Sequence, residues 1–154
     1  MAKRLSLEII TALLVLLFVY AAVSKLIDFR SFRLHLEVTP YVGSFARSLS
    51  ILLPAGELLI VVLLLRPQAR LAGLWLSFIT MTLFSIYVAL MLLKQQHLPC
   101  TCGGFIQKLS WPQHLVMNII FTIVSLAGII LNNRLRTSNA GNSHYHFSAR
   151  LNDV

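Results

Sequence analysis

Both cysteines of the chain fall in one stretch, "LPCTCGGF", residues 98–105, separated by a single threonine and followed by two glycines. Two thiols this close have three chemistries open to them. The first is a disulfide that braces the loop. Closing so small a ring contributes roughly 1.5 kcal/mol on chain-entropy grounds, before strain is subtracted. A Cys-x-Cys ring also lies away from relaxed disulfide geometry, and a strained bond is the reducible, exchanging kind. The second is thiol–disulfide exchange, in which a partner thiolate attacks one sulfur of a Cys100–Cys102 bond and the other cysteine resolves the mixed disulfide. Pro99 stiffens the approach, while Gly103 and Gly104 let a partner's backbone come close. Lys94 and His97 favour a thiolate electrostatically. A dithiol beside a membrane can also pass electrons to a quinone, although no motif here marks a quinone site. The third is a soft ion held by His97, Cys100, Cys102 and His114. Its one-residue spacing is not the two to four residues of structural zinc sites, and no metal is expected.

Two further residues stand out because of where they fall. Glu57, in "LPAGELLIVVLLL", is an acid inside a long apolar run. A carboxylate in hydrocarbon costs several kcal/mol unless it is protonated or paired. Lys25, in "VSKLIDF" at the end of the preceding apolar run, is the nearest cation by topology. Its long stem can also reach the headgroups. Glu57 then reads either as a proton relay or coupling site for the cysteine loop, or as a structural partner of Lys25 or of a hydroxyl on a neighbouring helix.

These residues must be positioned by membrane spans. The 154-residue chain is 57% hydrophobic and 12% charged, against about a quarter charged in soluble domains, and its mean hydropathy is +0.78. The apolar residues come in four blocks, at about 5–27, 47–66, 71–93 and 111–131. At 1.5 Å rise per residue, about 20 residues cross the roughly 30 Å hydrocarbon core. The composition therefore predicts an all-α, polytopic membrane protein, a four-helix bundle over residues 1–131, with a polar, irregular tail over 132–154. The first block is longer than a signal-peptide core and reads as a retained helix. The loop "RSFRLHLEVTPYVGSFARSL" after the first span, with Phe29 before it and Phe32, Leu34 and Leu36 within it, reads as an interfacial segment. The second helix must run through Pro54, with a kink, or it is too short to cross. Ser110 and Gln113 form a capping box for the fourth, with Pro112 in its first turn.

Basic residues set the orientation. The net charge of +8 is read as topology signals and headgroup contacts rather than nucleic-acid binding. The "RPQAR" turn concentrates Arg66 and Arg70 in five residues, on the side of the termini. That density favours cytoplasmic termini and places the cysteine loop on the oxidising, extracytoplasmic side.

"SKLIDF" closing the first span, "LPAGELLIVVLLL" in the second and a CxC with glycine and an aromatic after the third resemble the MauE proteins, the methylamine-utilisation branch of the DoxX-like membrane proteins. The resemblance covers roughly residues 20–131. It implies a four-helix membrane bundle of the bacterial inner membrane, associated with disulfide formation or maturation of exported proteins, often beside a thioredoxin-like partner. It further implies that Cys100 and Cys102 are the exchanging pair, with Glu57 and Lys25 a buried element beneath them. The family commonly reads C-x-C-F-G where this chain reads C-T-C-G-G-F. The methylamine system itself is not implied by these residues. The sequence thus predicts an inner-membrane thiol–disulfide redox protein, acting on a thioredoxin-like or exported thiol protein. The rival is a non-enzymatic subunit that anchors or stabilises a larger envelope complex.

Overall fold

The computed structural model describes residues 2–38, 43–93 and 111–152. Over these residues the chain is helical, without strands. Helix α1 covers Ala2–Ile27, α2 Phe29–Val38, α3 Ala46–Leu65, α4 Arg70–Leu93 and α5 Trp111–Asn152; a single 3₁₀ turn, Gly43–Phe45, leads into α3. Four stretches are long and apolar enough to cross a membrane: Lys3–Ile27, Gly43–Leu65, Arg70–Leu90 and Pro112–Thr137. These are the four expected blocks, and the protein is a multi-pass membrane bundle. The cysteine loop and the Ser110 cap lie outside the described residues.

Local chemistry explains several boundaries. Helix α3 ends at Leu65 because Arg66 precedes Pro67 and is driven to extended backbone, φ −90° and ψ 114°. The turn is closed by the Ala69 amide donating to the Arg66 carbonyl at 3.0 Å. Pro54 lies inside α3 as expected, and the helix passes through it. Beyond residue 132, where composition predicts irregular structure, α5 instead continues as helix to Asn152. That stretch holds no proline to stop a helix, although Gly141 and its many Asn and Ser residues weaken it.

The spanning helices pack in a ring: α1 against α3, α3 against α4, α4 against α5, and α5 back against α1. The short amphipathic α2 lies on α3 and buries Phe32. In a lipid solvent the apolar residues need not all face inward. Leu16, Ile51, Leu52, Leu83 and Ile123 are all more than half exposed and form part of the bundle's lipid-facing surface. The interior is drawn from Leu7, Leu14, Phe18, Ile60, Val61, Leu64, Leu74, Met81 and Ile129. Small residues set the closest approaches, as is usual where lipid removes the hydrophobic drive between helices. A Cβ on Gly73 would stand 2.8 Å from the Leu64 backbone nitrogen, so α3 and α4 meet backbone to backbone there.

Candidate functional site

Helix α1 buries one stripe, Leu7, Thr11, Leu14, Phe18, Ala22 and Lys25, at three- and four-residue steps. Helix α3 does the same with Ala46, Ser50, Pro54, Glu57, Ile60, Val61 and Leu64. Lys25 and Glu57 are therefore members of core-facing stripes, and the α1–α3 contact brings them together. Lys25 Nζ donates to Glu57 Oε1 at 2.7 Å, and the two side chains are 5% and 3% exposed. Nζ also donates to the Ala21 carbonyl, one turn back, at 3.2 Å. The Phe32 ring of α2 lies 5.9 Å from Nζ, within cation–π range.

Snorkelling to the headgroups, one expectation for Lys25, is not what the side chain does. Helical side chains lean toward the N-terminus, so a lysine on the core stripe runs back along α1 toward Ala21 and the deeper Glu57. The alternative expectation, a pair with Glu57, is the geometry found. One ammonium thus ties together α1, α2 and α3.

Helix α5 adds two residues that the sequence reading did not place in this cluster. His114 and Asn118 are 6% and 4% exposed and lie one turn apart on the buried face of α5. Asn118, Ser125 and Asn132 are buried at seven-residue intervals, and that spacing is the signal that could have identified the inward face. Polar side chains in a membrane helix turn toward the bundle interior. Of the four residues proposed for a soft-ion site, only His114 is described, and it points into the bundle; His97, Cys100 and Cys102 lie outside the described residues. Among the described residues no three His, Cys, Asp or Glu side chains group as a metal site.

One contact and the packing fix which helix ends lie together. Arg70 Nη1 donates to Glu8 Oε1 at 2.8 Å, joining the starts of α1 and α4. Helix α4 therefore ends, and α5 begins, at the same end of the bundle as the end of α1, against which α5 packs. The buried charged cluster therefore occupies the end of the bundle into which the 94–110 connection feeds.

The pair holds opposite charges together out of water. Stability alone is a weak reason for it, since apolar residues of similar volume often do as well as a buried ion pair. No curated protein and no solved structure matches the chain. The sequence does match the family described as methylamine utilisation protein MauE, over residues 3–131. That stretch takes in the first three spans, most of the fourth and every residue of the buried cluster, and the chain belongs to the MauE family.

Proposed function

We propose that this MauE-family membrane protein is a thiol–disulfide redox protein of the bacterial inner membrane, with its termini in the cytoplasm and its CxC loop outside. The observation that carries the reading is the Cys100-Thr101-Cys102 spacing, a ring too small and strained to serve as a brace. The Lys25–Glu57 pair supports it, being an intramembrane charge pair at the end of the bundle that the loop joins. A partner thiolate attacks one sulfur, the bond between the cysteines breaks with its electron pair on the released sulfur, and the mixed disulfide is resolved by the freed cysteine. The partner class is a thioredoxin-like or exported thiol protein. A quinone is the class of acceptor that would reoxidise the pair within the membrane.

The test is alkylation in intact cells with a membrane-impermeant thiol reagent, followed by trapping. Labelling of Cys100 and Cys102 only after mild external reduction is expected, as is a covalent partner adduct in Cys100→Ser or Cys102→Ser that reductant dissolves. Labelling only after permeabilisation removes the proposed orientation. Normal function in the double serine variant removes the redox role.

One observation favours the rival, a non-enzymatic anchoring subunit. A groove of about 1020 Å³ follows α1 from Glu8 to Asp28, past Thr11, Val15, Val19 and Val23. At 1.5 Å per residue it is about 30 Å long, the full hydrocarbon depth, and a partner's span could lie along it. Unchanged function without the cysteines would move this reading ahead.

A further inference from the structure

Glu57 Oε2, His114 Nδ1 and Asn118 Nδ2 are buried and have no hydrogen-bond partner among the described residues. Their side chains belong to residues 3%, 6% and 4% exposed. Buried polar atoms are nearly always satisfied by protein or by ordered water, and the penalty for neglect is larger in lipid. The three are chemically complementary. The carboxylate oxygen accepts, the amide nitrogen donates, and the imidazole nitrogen does either according to its tautomer. They also share one end of the bundle: Lys25, in the last turn of α1, bonds Glu57, α1 packs against α5, and His114 and Asn118 lie one turn apart on the buried face at the start of α5. A buried water needs two to four polar partners and occupies about 30 Å³. This cluster offers that number of partners.

We propose that Lys25, Glu57, His114 and Asn118 form one buried proton-exchange site, in which bound water links the Glu57 carboxylate to the His114 imidazole. The direct bonds alone join α1, α2 and α3. Water extends the network to α5, and His114, in the first turn of that helix, is the member nearest in the chain to the 94–110 connection. The use of the site, though not its existence, rests on the thiol-exchange reading. A partner thiol gives its proton to the site and attacks as thiolate. One S–S bond breaks as another forms, the electron pair stays on the released sulfur, and that sulfur takes a proton back from the site. The step consumes no oxidant or reductant.

The experiment is hydrogen–deuterium exchange followed by infrared spectroscopy on the full chain in detergent. It is run with the native cysteines and with Cys100→Ser plus Cys102→Ser. The His114 ring mode is isolated as the difference between wild type and His114→Gln. A hydrated site exchanges within seconds of mixing, at least about a hundredfold faster than the buried backbone amides, which wait for the helices to open. Asn118→Leu, which removes one water partner, slows that exchange about tenfold or more. Exchange in step with the amides, or a rate untouched by Asn118→Leu in folded protein, overturns the proposal. Should Asn118→Leu not fold, the wild-type rate alone decides. Fast exchange in both cysteine backgrounds with no trapped partner leaves the site standing and removes the thiol reading. Slow exchange with a trapped partner does the reverse.

Discussion

Replacing Lys25 by methionine keeps most of the side-chain volume and removes the charge. In the native bundle Nζ binds Glu57 Oε1 at 2.7 Å, with both residues at or below 5% exposure, and holds the Ala21 carbonyl as well. The variant leaves a buried carboxylate with no counter-charge among its direct contacts. Breaking one side of a buried pair costs about 3–5 kcal/mol. Ordinary interhelical hydrogen bonds in lipid average only about 0.6 kcal/mol, so the two accounts separate well. For a chain of this length, 1 kcal/mol moves Tm by about 2–4 °C, and Lys25→Met is expected to lose about 6–20 °C. The assay is thermal unfolding of purified protein in one detergent, by circular dichroism with size-exclusion as a check. Lys25→Met plus Glu57→Leu is the control: removing both charges is expected to recover most of the loss, because the penalty is the orphaned carboxylate rather than the missing bond. A Tm within 2–3 °C of wild type for the single variant, on the order of one kcal/mol, would refute the reasoning. So would a double variant no better than the single.

Other expectations follow from the packing. Gly73→Ala places a Cβ 2.8 Å from the Leu64 backbone nitrogen, whereas at Gly128 the nearest atoms are side-chain ends, Leu74 Cδ2 at 2.8 Å and Ile10 Cγ2 at 3.0 Å. Backbone cannot step aside as a methyl can, so Gly73→Ala is expected to cost about 1–3 kcal/mol and Gly128→Ala less; the reverse order of Tm would count against the helix contacts described. Glu8→Gln should shift stability by less than about 1 kcal/mol, since Glu8 is 60% exposed in its pair with Arg70, and a larger loss in urea unfolding would mean that the pair is better shielded than this. Phe32→Leu keeps an apolar residue on α2 but removes the ring beside the Lys25 ammonium. It is expected to lower stability by about 0.5–2 kcal/mol, with no further loss when Lys25 is already methionine; additive losses would show that the ring acts only by packing.

Much of the architecture was legible because span length is dictated by bilayer thickness. Four apolar blocks of about 20 residues leave few alternatives, and Pro54 had to be inside its helix for the second to cross. The Lys25–Glu57 pair was legible for a related reason, since an intramembrane carboxylate demands a partner and the neighbouring helix offered one. What was hidden is which way each residue faces. In water the apolar side of a helix marks the core, but in lipid both sides are apolar and that contrast vanishes. Lys25 therefore read as able to snorkel as well as to pair, and His114 carried no assigned direction, although each sits on a buried stripe. Only the sparse polar residues break the degeneracy, and the Asn118, Ser125, Asn132 interval carried that information. The helical backbone of residues 132–152 was missed because composition reports on burial rather than on local propensity.

The charge pair also imposes an order of events on the chain's own synthesis. Lys25 and Glu57 are 32 residues apart, so at about 5–20 residues per second the ribosome delivers the lysine some 2–6 s before its carboxylate. For that interval α1 sits in the bilayer with an unmatched cation and cannot settle into its final depth. Arrival of α3 neutralises it and pins α1 against α3 in register ahead of the later spans. A nascent chain whose α3 is still inside the ribosome, with α1 already inserted, should therefore show Lys25 open to an amine-reactive reagent, and one whose α3 has entered the bilayer should show it protected. An unpaired Lys25 would then be a signature of an unfinished molecule, legible to any membrane protease that grips charged, poorly inserted helices.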